Sequence, residues 1–331
     1  MRALRLSTVF ALALTLGTSA FASGTTLPLP ATTSARAESG VALLRPVPSG
    51  RLHVAGGRFT MGSTIPELQA AIGLCEQEPR GAALAPPSPT TGDQPLTLCR
   101  LRQEFPREAP AHPVTVSPFA IDRTEVTVED FARCIRVGVC DAPSFPRGDV
   151  RFDQPRFPMT HVAREEAAQY CTWAGGRLPT EAEWELAARG IAERVFPWGT
   201  RYNPHLANHG SFAHDPTDGT DGYLGLAPVG SFPDGATPEG LLDMAGNVAE
   251  WVSDQLEFVP VPVPGSAQVE LKLEEYPRTP QVNPVGTKGS ARVARGGSYL
   301  SPSFSIRGAS RFILEGNYAL PMIGFRCAQN D

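Results

Sequence analysis

Six cysteines, Cys75, Cys99, Cys134, Cys140, Cys171 and Cys327, are the residues of this chain with the widest chemical repertoire. A free thiolate can attack an electrophile or bind a soft metal, whereas a paired one only staples the fold. An even count favours pairing if the chain is exported, and counting alone leaves 15 connectivities open. Cys134 and Cys140 are close, but the spacing is not Cys-x-x-Cys, so a structural bridge at the end of a helix is expected rather than a redox pair. A second cluster, His205, His209 and His214 with Asp215 and Asp218, has residue types that bind zinc or iron. Its spacing lacks the i, i+4 arrangement of a helical His pair, and it reads as a solvated loop. Gly296-Gly297-Ser298 lacks the second glycine of a Gly-x-Ser-x-Gly elbow, and no Walker loop or dinucleotide fingerprint occurs.

The elements that must position these residues begin with a leader. Arg2 and Arg5 precede an apolar run from Val9 to Leu16 and the small-x-small triplet Ala20-Phe21-Ala22, which predicts a signal peptide over 1–22 and a secreted or periplasmic protein. Residues 23–45, rich in Ala, Thr, Ser and Pro, are expected to be a flexible linker, and 46–331 the folded domain. No run approaches the ~20 apolar residues of a membrane span. A formal charge of −5 without blocks of one sign argues against a nucleic-acid surface.

Gly 32 and Pro 33, spread along the chain, predict short elements in one loop-rich α+β domain. The alternation from Leu52 to Met61 predicts a strand, and 64–112 a Pro-rich excursion that a Cys75–Cys99 bridge would hold compact. Val114–Ile121 predicts another strand, leading into a helix capped by Thr127, with Phe131, Cys134, Ile135 and Gly138 on one face. A helix from about Arg164 to Ala174 ends at Gly175-Gly176. Thr180 and Glu183 form a capping box for a further helix that stops before Gly190. Trp173, Trp184, Trp198 and Trp251 read as core residues.

Seven blocks then stand in a distinctive order: GRFTMGS from Gly57, EVT from Glu125, GRLPTEAEWE from Gly176, PWG from Pro197, GLLDMAGNVAEW from Gly240, RGGSY from Arg295 and GFR from Gly324. In this order they resemble the sulfatase-modifying-factor family, whose founding enzyme is the formylglycine-generating enzyme. The resemblance covers about 50–331 apart from inserts near 64–112 and 256–288, and it implies a C-type-lectin-like, α+β fold with little regular structure.

It also implies a Cys171–Cys327 disulfide, which leaves Cys134 with Cys140 and Cys75 with Cys99. In the family enzyme two cysteines after the Gly-Gly-Ser block bind Cu(I), activate oxygen and oxidise a substrate cysteine. Ser301 and Ile306 stand at those positions here. Neither side chain can replace a thiolate on a soft ion, so copper is not expected. Ser298 matches an active-site serine and is read as a turn residue; Pro302 and Ala249 depart from the enzyme. Two structural calcium sites are implied, the first from the side chains of Asn208 and Asp221 with the carbonyls of His209 and Tyr223. The second would use the carboxylates of Glu125, Asp243 and Glu250 with the carbonyls of Gly246 and Val248, all hard oxygen donors of the kind Ca²⁺ takes. The expected function is a secreted, calcium-stabilised binding or scaffold domain for a protein or glycan; the alternative is an oxidoreductase acting on a protein substrate.

Overall fold

Punctuation by glycine and proline keeps every element short. A computed structural model of the protein describes residues 50–78, 99, 105–211, 219–262 and 269–331. The expected leader, the linker, and His214, Asp215 and Asp218 lie outside the described residues.

The chain enters through strands β1 (Leu52–Val54) and β2 (Gly57–Met61), where the sequence pattern predicted one strand. The two belong to different sheets, because the chain turns at Gly56, whose φ is +70°. A Cβ there would lie 2.5 Å from the Val116 carbonyl oxygen, so only glycine fits. Alternation runs through the break because both pieces are half-buried, and period 2 carries no record of which sheet a residue joins.

The excursion after Met61 is not wholly loop. Helix α1 (Ile65–Gln77) starts at a capping box in which the Thr64 hydroxyl accepts from Glu67 N and the Glu67 carboxylate accepts from Thr64 N. Pro66 sits in the first turn, where no intrahelical N–H is required. The chain returns through a 3-10 turn at Phe105–Glu108 into β3 (His112–Val116) and β4 (Phe119–Ile121). Helices α2 (Val128–Arg136), α3 (Arg164–Trp173) and α4 (Glu181–Arg189) follow, with Thr127 and Thr180 as the N-caps of α2 and α4.

The central sheet is assembled late in the chain from β5 (Ala249–Leu256), β9 (Ala291–Arg295), β10 (Arg311–Glu315) and β11 (Ile323–Gly324), in the order β10-β9-β5-β11. The insert after β5 forms a hairpin of β6 (Phe258–Pro262) and β7 (Val269–Leu273), then β8 (Gln281–Val282), which pairs in parallel with β3. The last strand, β12 (Ala328–Asn330), returns to β4.

All nine residues of α4 are buried. The helix packs against β2, β3, β5 and β9, with Trp184 and Leu186 in the core. Its charged residues are therefore inside and must be paired. Glu181 accepts from Arg311 Nε and Nη2 at 2.6 and 2.8 Å and from the Tyr276 hydroxyl at 3.1 Å. Glu185 Oε1 accepts from Gly62 N and Arg189 Nη1, both at 2.8 Å, and Oε2 accepts from Arg295 Nη2.

A second core gathers Phe131, Tyr170, Trp251 and Phe325 around two disulfides. The three bridges are Cys75–Cys99, Cys134–Cys140 and Cys171–Cys327, the same pairs the resemblance implies, and no cysteine is free. Trp184 and Trp251 are fully buried; Trp173 and Trp198 are partly so. Gly138, expected on the inner face of α2, lies beyond its end and is exposed, because the helix closes at Arg136.

Candidate functional site

The loop leaving β9 folds back on itself, which requires both of its glycines. Gly296 and Gly297 have φ of +91° and +70°. A Cβ on Gly297 would lie 2.8 Å from both Ile306 Cγ2 and the Ser305 carbonyl oxygen. Ser298 follows as the turn residue. Its N–H donates to Ser301 Oγ at 2.9 Å, its own Oγ accepts from Leu300 N at 3.3 Å, and the two hydroxyl oxygens lie 3.3 Å apart. Ser301 O in turn accepts from Gly210 N at 3.0 Å.

Ser298 and Ser301 line a cavity of about 420 Å³, walled by Leu300, Phe312, Met322 and Ala249 and, from the first insert, by Arg107 and Glu108. Ile306 is fully buried against Phe196, Ala207 and Ala245, and it stays beside Ser301: a Cβ on Gly297 would lie 2.8 Å from Ile306 Cγ2 and 3.2 Å from Ser301 Cβ. The two copper positions thus stay neighbours but carry a hydroxyl and an aliphatic side chain, and all six cysteines are in disulfides. Cu(I) has no soft donor here, so the residues present do not fit copper.

The first expected calcium set is brought together by its backbone. Asp221 Oδ2 accepts from His209 N at 2.8 Å and Oδ1 from Tyr223 N at 2.9 Å. Asn208 Nδ2 donates to Gly225 O at 2.8 Å and to Asn247 Oδ1 at 3.0 Å.

In the second set Glu125 and Asp243 are buried, with their carboxyl groups in hydrogen-bonding reach of each other. Glu125 Oε1 accepts from Asn247 Nδ2 at 2.9 Å, while Oε2 meets no donor from the protein. Burial, and then the charge of Asp243, push the Glu125 pKa well up. Burial also raises that of Asp243, which accepts from Gly230 N at 2.6 Å. Two facing buried carboxyl groups, one with an orphaned oxygen, fit a hard divalent cation.

Glu250 is directed differently. Its oxygens accept from Arg326 Nε and Nη2, both at 2.7 Å, and from Trp184 Nε1 at 2.8 Å, so its charge is matched by a guanidinium. Val248 is fully buried beside it, and Gly246 approaches Asn208 so closely that a Cβ would lie 2.1 Å from the Asn208 carbonyl oxygen.

Three residues at the candidate sites escaped sequence reasoning. Asn247, in a left-handed conformation at φ +57°, joins the two oxygen sets through its one amide. A Gly-Asn pair between apolar residues signals a turn, and nothing in it signals a hub. Arg107 and Glu108 reach the cavity from an insert whose sequence carries no motif. Of the histidine cluster, His205 is exposed, and His209 is tied by Nδ1 to Gly210 O at 2.7 Å and by Nε2 to the Tyr202 hydroxyl at 2.9 Å. Among the described residues no group of three or more His, Cys, Asp or Glu is placed to hold a metal ion.

A mixed-sheet domain with four described α-helices, long loops and a Gly-Gly-Ser turn over a cavity defines the loop-rich α+β class of the sulfatase-modifying factors. Residues 45–331 match the sulfatase-modifying factor enzyme 1-like domain, and the chain belongs to that family. It is 40% identical over 199 residues to the formylglycine-generating enzyme of Thermomonospora curvata, covering 56% of this chain and 60% of that protein. It is 33% identical over 196 residues to inactive C-alpha-formylglycine-generating enzyme 2 of Bos taurus, covering 45% of this chain and 64% of the relative. The chain therefore spans less than two thirds of either protein. Among solved structures, PvdO from Pseudomonas aeruginosa matches with a TM-score of 0.57 and 26% identity, over 85% of this chain and 94% of that one.

Proposed function

We propose that this chain is an exported formylglycine-generating-enzyme-like domain without copper oxidase activity, which binds a protein or glycan ligand at the cavity beside Ser298 and uses calcium as a structural ion. The observation that carries it is the lack of a thiolate at the Gly-Gly-Ser turn, where Ser301 and Ile306 fill the two copper positions on either side of Gly297 and every cysteine is in a disulfide. A relative named as inactive supports it. Export is supported by three disulfides, which persist in oxidising compartments. No helix among the described residues is long and apolar enough to cross a membrane.

Anaerobic titration with Cu(I) against a chromophoric chelator tests the chemistry. The protein is expected to take up no copper; stoichiometric uptake that disappears in Ser301→Ala overturns the proposal. The second reading, an oxidoreductase acting on a protein substrate, draws on the relatives named as formylglycine-generating enzymes and on the cavity at the same loop. Oxygen-dependent turnover abolished by Ser298→Ala would favour it.

Calcium is tested by melting. At free calcium a hundredfold above Kd, the ion stabilises the domain by about 2.7 kcal/mol. For a domain of this size that is a rise of roughly 5 °C in Tm, reversed by a chelator. Glu125→Gln is expected to remove most of the rise, and a Tm indifferent to calcium and chelator sinks the structural-ion part.

A further inference from the structure

Nearly every charge around the cavity beside Ser298 is already matched. Glu108 accepts from Arg307 Nη2 and Nη1 at 2.7 and 2.9 Å and from the hydroxyls of Ser310 and Ser63 at 3.2 and 2.7 Å. Arg311 gives two donors to Glu181 and its third, at 2.9 Å, to the carbonyl oxygen of Arg107. Arg107 is the exception. Its side chain is exposed at the cavity wall, and no hydrogen bond or ion pair from its guanidinium is seen among the described residues.

The turn that carries Arg107 is held on both sides. Phe105 is buried against Phe304, ring centres 5.6 Å apart, and Glu108 is clamped by Arg307. An unmatched cation is thus presented from a fixed position beside an apolar surface of Leu300, Phe312, Met322 and Ala249. A volume of about 420 Å³ is in the range of small-molecule sites.

We propose that the group of the ligand that enters this cavity is an organic anion, a carboxylate or sulfonate carried on an apolar body. Arg107 pairs with the anionic group, the seryl hydroxyls of Ser298 and Ser301 face its polar edge, and Leu300, Phe312 and Met322 cover the body. This deepens the binding reading above and rests on it. A guanidinium is suited to the role because its planar fork can donate two hydrogen bonds to one oxyanion group.

Two fluorescent probes that share an apolar body separate the terms: anionic 1-anilinonaphthalene-8-sulfonate and its neutral parent N-phenyl-1-naphthylamine. Both are expected to bind the protein. Ala249→Phe, which fills the cavity wall, is expected to displace both. Arg107→Gln is expected to weaken the anionic probe tenfold or more and leave the neutral one within twofold, with Arg107→Lys recovering part of the loss.

If Ala249→Phe displaces both probes but Arg107→Gln leaves the anionic one unchanged, the cavity binds ligands and the anion assignment is wrong. If Ala249→Phe and a second filling variant, Leu300→Trp, both melt like the parent protein and retain both probes, the cavity reading falls and this inference with it. Failure of both probes to bind the parent protein overturns both.

Discussion

Glu185→Gln is expected to lower the free energy of unfolding by about 3–5 kcal/mol, the cost of breaking a buried ion pair by removing one charge. Glu185 is fully buried and is shared by two guanidinium groups, Arg189 and Arg295. The amide keeps one acceptor oxygen but turns its NH2 toward a cation, so either Arg189 or Arg295 is left with only one of its two carboxylate partners, Glu67 or Glu181, in a place water does not reach. Burial opposes the charge of Arg295, yet Glu185, Tyr276 and Glu181 outweigh it and raise the pKa. That stabilisation depends on the carboxylate.

A domain of this kind has only about 5–15 kcal/mol in all. Urea unfolding at neutral pH measures the loss, and a change under 1 kcal/mol would mean the ring of charges contributes nothing beyond filling space. Arg295→Met combined with Glu185→Leu is expected to recover part of the deficit, because it removes both charges of that pair while Arg189 keeps Glu67.

Removing Cys171–Cys327 should cost far more than removing Cys134–Cys140, although both bridges are buried in the same core. The first joins residues 156 apart in sequence and the second residues 6 apart. On the chain-entropy account, closing the longer loop restrains the unfolded chain by about 5 kcal/mol against about 2 for the shorter. Paired Cys→Ser variants of each bridge lose similar sulfur packing, so their difference reports the loop term. Equal losses in urea unfolding would show that strain or residual structure decides, and the entropic ordering would be abandoned.

The features legible in the sequence are those whose physics is complete within a few residues. The capping box at Thr180 and Glu183 is one, since both hydrogen bonds lie within three residues of each other. The same signature at Thr64 and Glu67 was equally present and was obscured by the prolines around it, although Pro66 in the first turn favours a helix rather than breaking it. The family's block order was legible because it is a property of the chain as a string. The switch of sheet at Gly56 was not, because the residues on either side keep one alternating pattern.

Sequence by itself determined the family, the α+β class, the Thr127- and Thr180-capped helices and the absence of a thiolate pair after Gly-Gly-Ser, all of which follow from residue identity and local hydrogen bonding. Tertiary structure alone decided which carboxylates are spent and which are not. Glu250 is matched by Arg326 from 76 residues away, Glu108 by Arg307 from 199 away, and Glu125 is left with an oxygen no donor reaches. Whether a carboxylate or guanidinium is neutralised depends on what burial brings beside it, and the Coulomb and desolvation energies that follow are set by distance in space rather than along the chain.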